Sequence, residues 1–147
     1  MKLLIASDHA GLDLKQLLTR HAREVGHEVI DLGTDSPDSV DYPDFAHRLA
    51  DRLVAGDAPF GVLVCGTGIG VSMAANRHRG VRAALCHDAF TADMAHRHND
   101  ANVLCMGGRT TGPGVATQML DIFLAGGFDG GRHGRRVGKI EPQEAST

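Results

Sequence analysis

The chain has no tryptophan, one tyrosine and five phenylalanines in 147 residues. With so few aromatics and nineteen glycines, it reads as an α/β domain with many tight turns. No stretch approaches the roughly 18 uninterrupted apolar residues of a membrane span, so no membrane partner is expected. The opening MKLLIASDHAG has only a short apolar run before Asp8 and His9. It reads as a first strand, not a secretory leader, and a cytoplasmic protein is expected. Cysteine is scarce and odd in number: Cys65, Cys86 and Cys105 each fall in or at the end of an expected strand. That pattern argues for free thiols in a reducing compartment and against a disulfide framework. Charge of one sign is also missing. The net charge is −3, with 42% apolar and 22% charged residues, which excludes a disordered chain. Bases outnumber acids only toward the end, peaking at Arg132 to Lys139. That basic run is short, lacks interleaved aromatics and sits on an acidic protein, so no nucleic-acid partner is expected.

What is present is a regular alternation. Apolar runs at Lys2–Ser7, Glu28–Leu32, Phe60–Cys65, Val81–Cys86 and Asn102–Met106 read as five strands. Helical spacing appears between them: Leu14 to Val25 before Gly26, Phe45 to Val54 before Gly56, and Val71 to Arg77. It continues from Asp88, a plausible N-cap, to His98, and from Pro113 to Leu124. Residues 33–41 read as loop, and everything after about residue 127 as a glycine- and arginine-rich tail. Strands alternating with helices imply one three-layer α/β/α domain around a five-stranded parallel sheet, Rossmann- or flavodoxin-like. Right-handed crossovers bring every strand's carboxyl end to one edge. That edge collects Ser7-Asp8-His9, the Gly33 loop, Cys65–Gly70, Cys86-His87-Asp88 and Gly107-Gly108-Arg109.

The densest chemistry is Cys65-Gly66-Thr67-Gly68-Ile69-Gly70. A strand ends in a thiol, glycines let bare N–H groups approach a ligand, and a helix start adds partial positive charge. A Walker loop would need a lysine here, and there is none. A dinucleotide fingerprint would need glycine, and a cysteine-phosphatase loop arginine, at the position of Val71. A cysteine beside a nest of amide donors survives. Asp8 and His9 suit proton transfer or hydroxyl binding, or simply a helix cap. His96 and His98 are two apart and cannot share a helix face, and no standard metal spacing appears. His98 reads as a proton carrier or a cap. Arg109, Arg132 and Arg136 are candidate phosphate ligands, the last two on one face if that stretch is helical. Arg135 and Lys139 read as solvated surface.

Seven motifs stand in order: Ser-Asp-His-Ala-Gly (7–11), Asp-Tyr-Pro (41–43), Cys-Gly-Thr-Gly-Ile-Gly (65–70), Ala-Ala-Asn (74–76), His-Asn-Asp-Ala-Asn (98–102), Gly-Gly-Arg (107–109) and Gly-Arg-His-x-x-Arg (131–136). Over nearly its whole length the chain resembles the family of type B ribose-5-phosphate isomerases, which also holds galactose-6-phosphate isomerase subunits and allose-6-phosphate isomerase. The resemblance implies aldose–ketose isomerisation through an enediolate, without metal or organic cofactor. It also implies a homodimer or dimer of dimers whose active sites both subunits complete. Cys65 would then be the base, and Thr67 would act near O1. The amides of Gly66, Thr67, Gly68, Ile69 and Gly70 would hold the oxyanion. Asp8 and His98 would open the furanose ring. His9, Arg109, Arg132 and Arg136 would grip the phosphate, and Tyr42 and Asn99 would line the sugar site. One branch of the family carries a glutamate base where this chain has Val71, so the chain falls with the cysteine branch. Two other activities fit less well: isomerising a six- or four-carbon sugar phosphate, and binding a sugar phosphate without catalysis.

Overall fold

A computed structural model describes residues 1–143. Five parallel strands form one sheet in the order β2-β1-β3-β5-β4. They are β1 (Lys2–Ser7), β2 (Glu28–Asp31), β3 (Phe60–Cys65), β4 (Ala83–Leu85) and β5 (Val103–Gly107). The helices are α1 (Leu12–Glu24), α2 (Tyr42–Val54), α3 (Ile69–Ala75), α4 (Ala89–Asn99), α5 (Pro113–Ala125) and α6 (Arg132–Val137).

The layering follows from the period-2 geometry of strands. Leu3, Ile5, Val62, Val64, Leu104 and Met106 face α1, α4 and α5. Their neighbours Leu4, Ala6, Leu63, Cys65, Val103 and Cys105 face α2 and α3. With both faces covered, the strands are apolar throughout, which is why they are legible as continuous runs. The three-layer expectation holds.

Several boundaries differ. β4 is only Ala83–Leu85, because the Val81 N–H is used in a turn to the His78 carbonyl. α2 begins at Tyr42, with Pro43 suited to its first turn, and α3 begins at Ile69. A 3-10 turn at His9–Gly11 precedes α1. The expected tail contains a helix, α6, which packs on α4. Asp88 does cap α4: its carboxylate accepts from the Thr91 N–H at 2.7 Å, in a capping box. Among the described residues no helix is long and apolar enough to cross a membrane.

Candidate active site

β3 delivers Cys65 to the carboxyl edge of the sheet. Its side chain points into the α2–α3 layer and is 5% exposed. The sulfur is not turned away from the loop: Sγ accepts the Gly68 N–H at 3.2 Å. Gly68 reaches this position with φ +79°, and a Cβ there would strike the Met106 backbone. Thr67 is exposed, and its Oγ1 accepts from Ile69 N–H at 3.3 Å. Among the described residues the N–H groups of Gly66, Thr67, Gly70 and Val71 have no acceptor. Unpaired donors beside a thiol form a place for negative charge.

The neighbouring loops close around this one. Asp8 is buried and caps the 3-10 turn, its Oδ1 accepting from Gly11 N–H at 3.1 Å. Its backbone N–H donates to the Val64 carbonyl. Ser7 is held on both sides by the loop after β2, donating to the Gly33 carbonyl and accepting from Thr34 N–H, each at 2.8 Å. The Val40 N–H donates to His9 Nδ1 at 3.1 Å. That bond leaves the ring proton on Nε2, a donor suited to an anion. The Tyr42 ring covers Gly70, where a Cβ would lie 2.6 Å from it. Arg109 lies across Gly66, and its N–H donates to the Gly66 carbonyl at 3.0 Å. Asp8, His9, Tyr42, Cys65–Gly70 and Arg109 therefore share one edge.

The other expected residues lie elsewhere in the same chain. α4 starts at the carboxyl edge and returns to the amino edge, about 16 Å away for an 11-residue helix. His98 and Asn99 stand at that far end. α6 joins them there, with His133 stacked on His98 at 4.1 Å. Arg132 and Arg136 are indeed helical, hence on one face. Asn99 borders a cavity of about 640 Å³ that also includes Arg77, Arg79, Arg82 and Glu141 but not Cys65. His96 is a core residue, its Nδ1 2.7 Å from the Phe123 carbonyl.

The three thiols are free and differ in setting. Burial pushes Cys86 up to about 11 and Cys105 well above the ordinary thiol range. Both are chemically quiet. His98, Asp129 and His133 offer ligand atoms within 4.8 Å of one another. The set suits a cation poorly. The imidazoles lie parallel, so their lone pairs run side by side, and Arg97 already occupies Asp129.

Sequence reasoning missed the Val40–His9 and Gly33–Ser7–Thr34 contacts, which are backbone-mediated and leave no compositional mark. It gave no role to Asp129, and none to His133, which stands inside the quoted 131–136 motif, because the contacts of both depend on where a helix at 132–137 packs.

A family model described as ribose/galactose isomerase matches residues 3–140. Ribose-5-phosphate isomerase B of Escherichia coli (strain K12) is 41% identical over 139 residues, covering 95% of this chain and 93% of that protein. The structure of a ribose 5-phosphate isomerase from Thermotoga maritima superposes with a TM-score of 0.93 at 49% identity, covering 95% of this chain and 96% of that one. A further structure, ribose-5-phosphate isomerase B from Mycoplasma genitalium with bound ribulose-5-phosphate, gives 0.91 at 45% identity, covering 95% and 93%.

Proposed function

The chain belongs to the ribose/galactose isomerase family, and from that premise we propose that it interconverts ribose 5-phosphate and ribulose 5-phosphate, with Cys65 as the base. The observation that carries the reading is the Cys65 sulfur bonded to one amide of a loop whose other amides stand open. Asp8 and His98 open the furanose by moving the anomeric hydroxyl proton to the ring oxygen. The Cys65 thiolate takes the hydrogen from C2 of the open aldose. The resulting enediolate is held by the N–H groups of Gly66, Thr67 and Gly70, with Thr67 serving O1. The proton on O2 passes to O1 through the Thr67 hydroxyl, which gives its own proton to O1 and takes the one from O2, and Cys65 returns the hydrogen to C1, giving the ketose. His9, Arg109, Arg132 and Arg136 hold the phosphate, and Tyr42 and Asn99 bracket the sugar. A C–H next to a carbonyl yields its proton near neutral pH only with a placed base and a stabilised oxyanion.

A complete site takes residues from two copies of the chain. His98, Asn99, Arg132 and Arg136 sit at the opposite sheet edge from Cys65, so one chain cannot present both groups to one sugar. Tyr42, Ile69 and Met73, on α2 and α3 over one face of the sheet, are 40%, 51% and 66% exposed, an apolar surface suited to a second copy. The assembly is a homodimer or a dimer of dimers of single isomerase domains spanning 1–147. Three unpaired thiols fit a cytoplasmic setting.

The test is conversion of ribose 5-phosphate by purified protein, with allose and galactose 6-phosphates alongside. Cys65→Ala should lower kcat by about 10³-fold, in the range for a lost proton-transfer group, while still binding substrate. Full activity in that variant would refute the base, and preference for a six-carbon substrate would replace the assigned sugar.

A further inference from the structure

α6 is six residues long and buries none of them. A helix this short does not hold its shape alone in water. Its place is set by the end of α4. The Asp129 N–H donates to the Arg97 carbonyl at 2.9 Å. The Arg97 guanidinium grips the Asp129 carboxylate with two donors, Nε to Oδ1 at 3.2 Å and Nη2 to Oδ2 at 3.3 Å. Asp93, one turn earlier, holds Arg97 from its other side at 3.6 Å. Asp129 Oδ2 also stands 3.7 Å from His98 Nε2. His133, the second residue of α6, lies flat against His98, with ring planes 9° apart.

We propose that Arg97, Asp129 and His133 are positioning residues that dock α6 onto α4, fixing Arg132 and Arg136 relative to His98, and that mild acid loosens this docking. The proposal rests on the reading above, in which those arginines hold the phosphate. Two long arginine side chains lose less freedom on meeting a phosphate when the helix carrying them is already fixed. Residues that set this arrangement act on substrate binding more than on the proton transfer at Cys65.

Acid acts through the His133 ring, stacked on that of His98. The groups facing them are Asp129 and, beyond it, Asp93 on the negative side, with Arg97, Arg132 and Arg136 on the positive side. Desolvation, then His98, Arg132 and Arg136, hold the His133 imidazole below its ordinary value. The docked state therefore binds this proton less readily than an undocked one. Docking is at full strength above the ordinary histidine value of about 6.5 and weakens as pH falls below it.

The experiment uses full-length protein and ribose 5-phosphate. Asp129→Asn should raise KM about fivefold, the scale of one partly exposed ion pair, with kcat within about twofold. Amide hydrogen exchange across 131–138 should quicken in that variant at unchanged melting temperature. Between pH 7.5 and 5.5 the KM of the unaltered protein should rise more steeply than that of His133→Asn, both sharing the titration of the substrate phosphate near 6. An active protein whose KM and exchange ignore Asp129→Asn would overturn the docking proposal and leave the isomerase reading standing. A fall in kcat alone would also overturn it, by placing Asp129 in proton transfer. Equal pH slopes would remove the acid-loosening part. No turnover by the unaltered protein would instead sink the functional reading, and the exchange measurement would still decide the docking.

Discussion

Cys65, Cys86 and Cys105 are one residue type in three environments. Cys105 is wholly buried in β5, and Cys86 lies just past β4 with its thiol pushed up to about 11. Among the described residues Cys65 alone of the three meets an amide donor at a loop. Iodoacetamide at pH 7.5 should therefore inactivate the protein in step with labelling of Cys65, with Cys86 and Cys105 unmodified by peptide mass spectrometry and substrate protecting. Inactivation tracking Cys86 would contradict the assignment. Lys15 shows what sequence does not reveal at this scale. It sits inside the apolar stripe of α1 at 1% exposure, with Nζ 2.6 Å from both carboxylate oxygens of Asp31. A stripe of leucines announces a buried face; it does not announce that a lysine on it has a partner sixteen residues away. Asp31 also accepts the Gly33 N–H, so the pair steadies the loop that clamps Ser7. Asp31→Ala leaves the buried Lys15 ammonium only the exposed Asp35 carboxylate, 3.7 Å away, and should cost about 3 kcal/mol, read as a lower urea midpoint.

At the level of elements, glycines do two jobs where the sequence reading saw one. Room for a ligand was expected. The structure adds contact between loops: a Cβ on Gly107 would lie 2.7 Å from the Thr67 backbone, one on Gly108 2.6 Å from the Ala10 carbonyl, and one on Gly11 2.7 Å from the Val64 carbonyl. The loops after β1, β3 and β5 touch backbone to backbone, and main chain cannot step aside. Gly107→Ala should displace Thr67 and lower kcat ten- to a hundredfold on the scale of ångström misplacement. Gly112→Ala, with nothing within 4 Å among the described residues, should be neutral in the same assay. The Ala-Ala-Asn motif was visible as a family mark without a job. Asn76 proves to be a strand substitute: its side-chain amide donates to the Ala83 carbonyl at 2.9 Å and accepts the Ala83 N–H at 2.8 Å. Asn102 likewise accepts from Arg82 N–H and donates to the Gly80 carbonyl. Such pairings join residues distant in sequence, so no local pattern encodes them.

For the whole molecule, the layered fold was legible because buried parallel strands are uniformly apolar and their helices are striped. The division of the expected site between two sheet edges was legible only in part. Strand ends announce one edge, whereas the far edge depends on where α4 finishes and on a helix in the glycine-rich tail. That division makes a sharp prediction. Cys65→Ala and Arg132→Ala proteins, each nearly inactive, should regain about a quarter of full activity when unfolded together and refolded as a random mixture, since half the dimers then carry one intact site. No recovery would mean that each chain works alone. The side-chain amide of Asn76 carries a consequence of another kind. By occupying the outward donor and acceptor of Ala83, it covers the first residue of the edge strand β4, where an extended peptide would otherwise begin to pair. What is left open on a strand of three residues is too short a template for growth by strand addition, and new neighbours are better met across helices.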